Sequence, residues 1–235
     1  MILNRHPQNP ILAPNPGNSW ESFATFNGTI IKSNDIYHLL YRAMGEETTI
    51  HNNRLRMSTV GKATSTDGVL FNNRELFIKP EHIWEQYGCE DPRVVQLDGV
   101  YYIFYTALGN YPPNERGIKV GVAVSPDLKH ISEKHLVTPF NAKAMTLFPE
   151  KINGLYTAIL TVNTDKPPSQ IAIAQFEHVP TLWDVLYWED WYQNFEDHII
   201  RLRRVNSDQV ELGASPIKSR YGWILIYSYC IYNNF

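Results

Sequence analysis

Four times in 235 residues the chain repeats one pattern, a turn pair followed by a short run crowded with aromatic and β-branched residues. The runs are DIYHLLYRA (35–43), DGVYYIFYTA (98–107), NGLYTAILTV (153–162) and YGWILIYSY (221–229). The first three are each followed by a second apolar strand: STVGKATSTDGVLF (58–71), IKVGVAVSPDLKHI (118–131) and SQIAIAQFEHVPTLW (169–183). Aligning Tyr37, Tyr101, Tyr156 and Trp223 gives spacings of 64, 55 and 67 residues, room for about four short strands per unit. Units of this kind, without a convincing helical period, point to an all-β propeller. A sandwich or barrel would not need a recurring unit this long. Asn34-Asp35, Asp98-Gly99, Asn153-Gly154 and Tyr221-Gly222 stand where tight hairpin turns belong. Asp67-Gly68 and Pro126-Asp127 end the second strand. The stretch 184–206 fits either a strand pair with a long loop or a short helix. The fourth run has no following partner strand, and an unpaired sheet edge is a liability. The expectation is therefore one domain over 1–235, an incomplete propeller with about four blades present; a closed four-bladed ring is the alternative.

Aromatics at 13% suit strands and supply stacking surfaces for flat ligands. A net charge of −3 without a long basic block argues against nucleic acid. No apolar run approaches the roughly 20 residues that cross a bilayer. The N-terminal MILNRHPQNPILAP has no apolar core of a signal peptide, so a cytoplasmic location is expected, with Cys89 and Cys230 as reduced thiols. The eight histidines show no metal-ligand spacing, so no metal is proposed. Phosphate-binding glycine loops and the GxSxG nucleophile motif are absent.

Four segments carry chemistry beyond structure. YGCEDPRVV (87–95) packs Glu90, Asp91 and Arg93 into four residues, and Pro92 keeps Asp91 out of the helical region. Arg93 can clamp a carboxylate through two bonds, or the segment is a structural Asp–Arg turn. NAKAMTLFPEKING (141–154) sets Lys143, Glu150 and Lys151 around an apolar triplet, as a cationic site or a solvated loop. Trp20, Asn27 and Arg42, in SWESFATFNGT (19–29) and LLYRA (39–43), are groups a sugar site uses, although each alone has structural uses. Glu211, before the Gly-Ala-Ser-Pro turn of 213–216, is a solvated strand residue or a catalytic partner.

Taken together these segments resemble glycoside hydrolase family 130, the mannoside phosphorylases and β-mannosidases built on a five-bladed β-propeller. NPILAP (9–14), Trp20-Glu21, Phe26-Asn27, LLYRA (39–43), GKATSTDGVLF (61–71), GCEDPRV (88–94), LFPEKING (147–154) and LGASPIKSRYGWILIY (212–227) fall in family order. The resemblance implies that Asp91 is the general acid, protonating the leaving oxygen through the 3-hydroxyl of the mannosyl unit, with inversion. It implies Trp20, Asn27, Arg42, Glu90, Arg93 and Lys143 as substrate-binding residues, and no obligatory cofactor or metal. An oligosaccharide is the implied partner. Family members are often oligomeric, so the resemblance allows a homo-oligomer.

Phosphorylases of the family surround phosphate with basic residues. Here Lys119 stands on the strand where they carry an Arg, and Lys143 matches their Lys before LFPEKI. Leu160 and Thr161 replace their His-Arg pair, Glu211 replaces a basic residue, and Tyr227-Ser228 replaces a Tyr-His. A carboxylate beside a bound dianion is unfavourable. These exchanges lead to the expectation of an inverting hydrolase of β-mannosides, with β-1,2-linked mannose among the candidate linkages. Glu211 would be its base, and Glu196 and Asp197 are further candidates, since an inverting hydrolase needs a second carboxylate. The alternative is a phosphorylase that takes inorganic phosphate as co-substrate, held by Lys119 and Lys143, and releases mannose 1-phosphate. A third reading is a non-catalytic sugar-binding propeller or an inactive fragment.

Overall fold

A computed structural model describes residues 4, 6–202 and 209–230. The first blade is antiparallel, in the order β1 (Ala24–Ser33), β2 (Ile36–Met44), β5 (Ser58–Ser65) and β6 (Asn72–Ile78). A small hairpin of β3 (Thr48–Ile50) and β4 (Asn53–Leu55) projects from it. The second blade runs β7 (Gly88–Leu97), β8 (Val100–Leu108), β9 (Ile118–Ser125), β10 (Glu133–Leu136), and one parallel bridge, Ser58 to Gly88, ties it to the first. The third blade is β11 (Ala142–Leu147), β12 (Tyr156–Val162) and β13 (Gln170–Phe176), with Ile199 bridging to Ala172 at its outer edge. β14 (Gln209–Leu212) pairs with β17 (Tyr227–Cys230), and β15 (Ile217–Ser219) with β16 (Gly222–Ile224). The described residues thus build three blades and strands of a fourth.

The turns follow from local chemistry. Asn34 and Asp35 have φ of 48° and 62°, Asp98 and Gly99 have 51° and 81°, and Asn153 and Gly154 have 51° and 83°. Two successive positive φ values match the twist of the flanking strands, and Asn, Asp and Gly tolerate them best. The fourth turn is shifted by one residue from expectation. Ser219 pairs with Gly222, so Arg220-Tyr221 is the turn and Gly222 opens the strand. In the two descending turns, the Oγ of Ser65 and of Ser125 accepts backbone N–H bonds, and Asp67 and Asp127 accept two each from the residues that follow.

The middle strands are covered on both faces by neighbouring blades. All of β12 is buried, and so is β8 after its first residue. Alternation therefore vanishes there, while the edge strand β10 is only half-buried. One core lies between blades two and three, around Phe104, Val122, Leu160 and Trp188. Another lies between blades one and two, around Leu40, Val60, Ile103 and Tyr105. Segment 184–202 resolves as helix α1 (Val185–Gln193), capped by Asp184, whose carboxylate accepts the Leu186 N–H at 2.9 Å. It is anchored by buried Trp188 and Trp191. Residues 203–206 of the stretch 184–206 lie outside the described residues.

The duplication goes deeper than the strand pattern. Before the first blade, Trp20 packs on Gly61 and Tyr41, and the Tyr41 hydroxyl donates to fully buried Glu21 at 2.8 Å. Before the second, Trp84 packs on Gly121 and Tyr105, and the Tyr105 hydroxyl donates to fully buried Glu85 at 2.6 Å. Trp20 therefore belongs to an internal lock of its blade. Stacking on sugar is not its place, because its partners are Tyr41 and a glycine that leaves room for its ring.

Candidate active site

The opening strands of three blades share one irregularity. Pairing slips between Phe26 and Thr29, between Glu90 and Arg93, and between Lys143 and Thr146. At each slip one residue has left-handed φ: Asn27 at 48°, Asp91 at 53°, Ala144 at 50°. Such bulges re-aim a side chain. Pro92, which cannot donate to a ladder, sits inside the second one. The bulged strands bring Asn27 and Asp91 to a cleft of about 560 Å³, which Arg93, Glu211, Ser215 and Ser228 also line.

Asp91 Oδ1 accepts the Asn27 amide at 2.9 Å and the Arg42 Nη1 at 3.4 Å. No other bond to its carboxylate is seen among the described residues. Arg42 also ion-pairs through Nη2 with Glu90, donates from Nε to Ser58 Oγ at 2.9 Å, and lies over the Phe26 ring. The Ser58 hydroxyl in turn donates to Glu90 Oε1 at 3.0 Å. Burial pushes the Glu90 carboxyl up, against the pull of Arg42.

Arg93 is only 7% exposed. It donates from Nη1 to the Asp91 main-chain oxygen at 3.1 Å and from Nη2 to the Leu212 oxygen at 2.6 Å, with Glu211 Oε1 3.9 Å away. Its Nε is buried without a partner. Glu211 is half-buried. Burial raises its pKa, Arg93 and Lys143 oppose this, and Asp91 and Asp165 add to it. Lys143 Nζ pairs with Asp165 at 3.5 Å, and Asn141 and Thr164 hold the other oxygen of that carboxylate.

The structure therefore brings together Asn27, Arg42, Glu90, Asp91, Arg93 and Glu211, with Lys143 near enough to bias Glu90 and Glu211. Three expectations change. Lys119 shares a row with Ala107 and Cys89, on the face of the blade opposite Glu90, Thr106 and Val120, and neither lines the cleft nor pairs with its carboxylates. Glu196 and Asp197 lie in the turn after α1, where Asp197 borders a different pocket with Trp191 and His198. Arg93 directs both terminal nitrogens to backbone oxygens and makes no two-bond clamp on a carboxylate, with Glu211 3.9 Å away. Thr161 accepts the Leu212 N–H at 3.0 Å, so it is a strand tie. Ser58 and Asp165 were not foreseen. A strand-end serine and a loop aspartate carry no signal until their partners from 16 to 32 and 22 to 24 residues away are in place.

The site offers a carboxyl held by two donors, a second carboxylate in the same cleft, and a lysine whose charge acts on that carboxylate. Such a set suits proton transfer to a leaving group, with attack by an anion or by water. No helix of the described residues is long and apolar enough to cross a membrane.

Comparison with known proteins points the same way. The chain is 32% identical to a 1,2-β-oligomannan phosphorylase of Thermoanaerobacter sp. (strain X514), over 99% of this chain and 73% of that protein. It is 29% identical to a β-1,2-mannobiose phosphorylase of the same organism, over 96% of this chain and 71% of that one. The fold matches the solved β-1,2-mannobiose phosphorylase from Listeria innocua in complex with β-1,2-mannobiose, with a TM-score of 0.75 at 22% identity, covering 95% of this chain and 74% of that one. That likeness shows the fold, a five-bladed β-propeller in this group. The family described as β-1,4-mannooligosaccharide phosphorylase matches residues 3–234. The chain is an enzyme of that family, glycoside hydrolase family 130, whose members are phosphorylases and hydrolases of β-mannosides.

Proposed function

We propose that the chain is an inverting phosphorylase of β-1,2-linked manno-oligosaccharides. One observation carries this reading: two relatives that align with nearly the whole chain are phosphorylases of β-1,2-linked mannosides. The cleft is compatible with it, because the Lys143 charge acts on Glu211 and Glu90 and offers a cation for a dianion. Asp91 gives its proton, through the 3-hydroxyl of the mannosyl unit, to the glycosidic oxygen. The C1–O bond breaks, and a phosphate oxygen forms the new bond to C1 from the opposite face. The products are α-mannose 1-phosphate and an oligosaccharide one unit shorter. Asn27 and Arg42 fix the acid's orientation, and Glu90 anchors Arg42.

A specific observation favours hydrolysis as a second reading. Glu211 shares the cleft with Asp91 and is open to solvent on one side. In that reaction it would take a proton from the attacking water.

The test is turnover of β-1,2-mannobiose and β-1,2-mannotriose by the full chain, with and without inorganic phosphate. Mannose 1-phosphate formed only with phosphate is expected. Free mannose at an unchanged rate without phosphate would overturn the phosphorylase reading, and loss of that rate in Glu211→Gln would establish the hydrolase. Normal activity in Asp91→Asn would refute the acid assignment under either reading.

A further inference from the structure

We propose that Arg93 is a positioning residue that sets the separation of Asp91 and Glu211 across the cleft. It rests on Asp91 as the acid, and not on whether phosphate or water attacks. The guanidinium grips two backbone oxygens from different blades, that of Asp91 at 3.1 Å and that of Leu212 at 2.6 Å. The first oxygen belongs to the left-handed residue of the bulge, at φ 53°. An L residue in that conformation is strained and persists only when its surroundings hold it. The second belongs to the residue after Glu211, whose N–H is tied to Thr161 Oγ1 at 3.0 Å. The Leu212 backbone is thus fixed at both its N–H and its C=O, and with it the start of the Glu211 side chain.

The corresponding positions after the bulges of blades one and three are Thr29 and Thr146. Thr146 reaches only one side chain of the next blade, Ser215 Oγ at 2.9 Å, and a threonine cannot grip two backbone oxygens as a guanidinium does, so the double grip is particular to the blade that carries the acid. Each terminal nitrogen of Arg93 gives one N–H to a carbonyl and Nε is sealed from solvent, so the guanidinium is oriented by the backbone of two blades. Lysine is no replacement, since a point charge cannot occupy both oxygens as a planar fork does.

The experiment measures kcat and KM of Arg93→Ala and Arg93→Lys in the full chain on β-1,2-mannobiose, with and without added guanidinium ion. Both variants are expected to lose about 100-fold in kcat while KM stays within about twofold, since a small misplacement of a reacting group costs that much. Guanidinium should restore about tenfold in Arg93→Ala, the part of that loss a freely diffusing fork recovers, and nothing in Asp91→Asn. A raised KM with kcat retained would make Arg93 a substrate-binding residue and overturn the proposal. So would unchanged kcat, or the absence of rescue in a cooperatively melting Arg93→Ala chain. If only Arg93→Lys folds, its kcat loss at constant KM supports the proposal and retained kcat overturns it. If neither folds, Arg93 is a folding residue and the proposal fails. Normal activity in Asp91→Asn would instead fault the reading beneath it.

Discussion

Replacing Arg42 by methionine tests the electrostatic frame of the site. Methionine keeps an apolar stem over the Phe26 ring and removes every donor. Asp91 loses one of its two partners, and Glu90 keeps only the Ser58 hydroxyl. At 3.4 Å the Arg42–Asp91 attraction alone is about 5 kcal/mol at an effective dielectric of 20, before desolvation is subtracted. Removing one partner of a buried pair typically costs about 3–5 kcal/mol net. Arg42 and Glu90 keep 18% and 14% of their side-chain surface open to water, which favours the low end, about 3 kcal/mol. For a chain of this size that lowers Tm by about 6–12 °C. The loss has a sign in pH. Burial already raises the Glu90 pKa, and Arg42 is the largest opposing influence, so the variant raises it further. A carboxyl with a raised folded pKa loses stability as pH climbs through that value. The gap between the two proteins should therefore be wide at pH 8 and narrow towards pH 5, in thermal melts run side by side. An equal Tm difference at both pH values, or a difference under about 2 °C at pH 8, would refute the argument.

Other consequences are simpler. Gly121→Ala would place a Cβ 2.7 Å from the Tyr105 ring and 2.8 Å from Trp84, and Gly61→Ala would place one 2.6 Å from Trp20 and Tyr41. Each should cost about 1–3 kcal/mol by urea denaturation, and a neutral result in either would deny the duplicated lock. Asp35→Gly relieves a left-handed residue at φ 62° and should raise the unfolding free energy by about 0.5 kcal/mol, read as a higher urea midpoint at unchanged slope. Lys143→Ala should raise the KM for phosphate about tenfold or more while leaving the melt nearly unchanged, as expected for one charge-assisted bond to an anion. An unaltered phosphate KM would remove Lys143 from the anion site.

The acid cluster could be read early because its parts are neighbours. Glu90, Asp91, Pro92 and Arg93 are consecutive in chemistry and chain. What Arg93 does was not readable, since its partner, the Leu212 oxygen, is 119 residues away. Trp20 and Lys119 show the same limit from the other side. Both are residue types a sugar or phosphate site uses, yet one packs on Gly61 and the other faces away from Glu90. A strand presents successive side chains to opposite faces, so one position of register decides whether a lysine meets the cleft.

Three of the turn pairs, the strand runs between them and the blade repeat were determined by the sequence alone. They rest on short-range physics: positive φ at Asn, Asp and Gly, and the fit of aromatic and β-branched residues to a pleated sheet. The helix after Asp184, the three aligned bulges and the meeting of Asn27, Asp91 and Glu211 were decided only in the tertiary structure. Each depends on which blade packs beside which. A bulge is an offset between two strands, and an ion pair across blades exists only once both backbones are held in place.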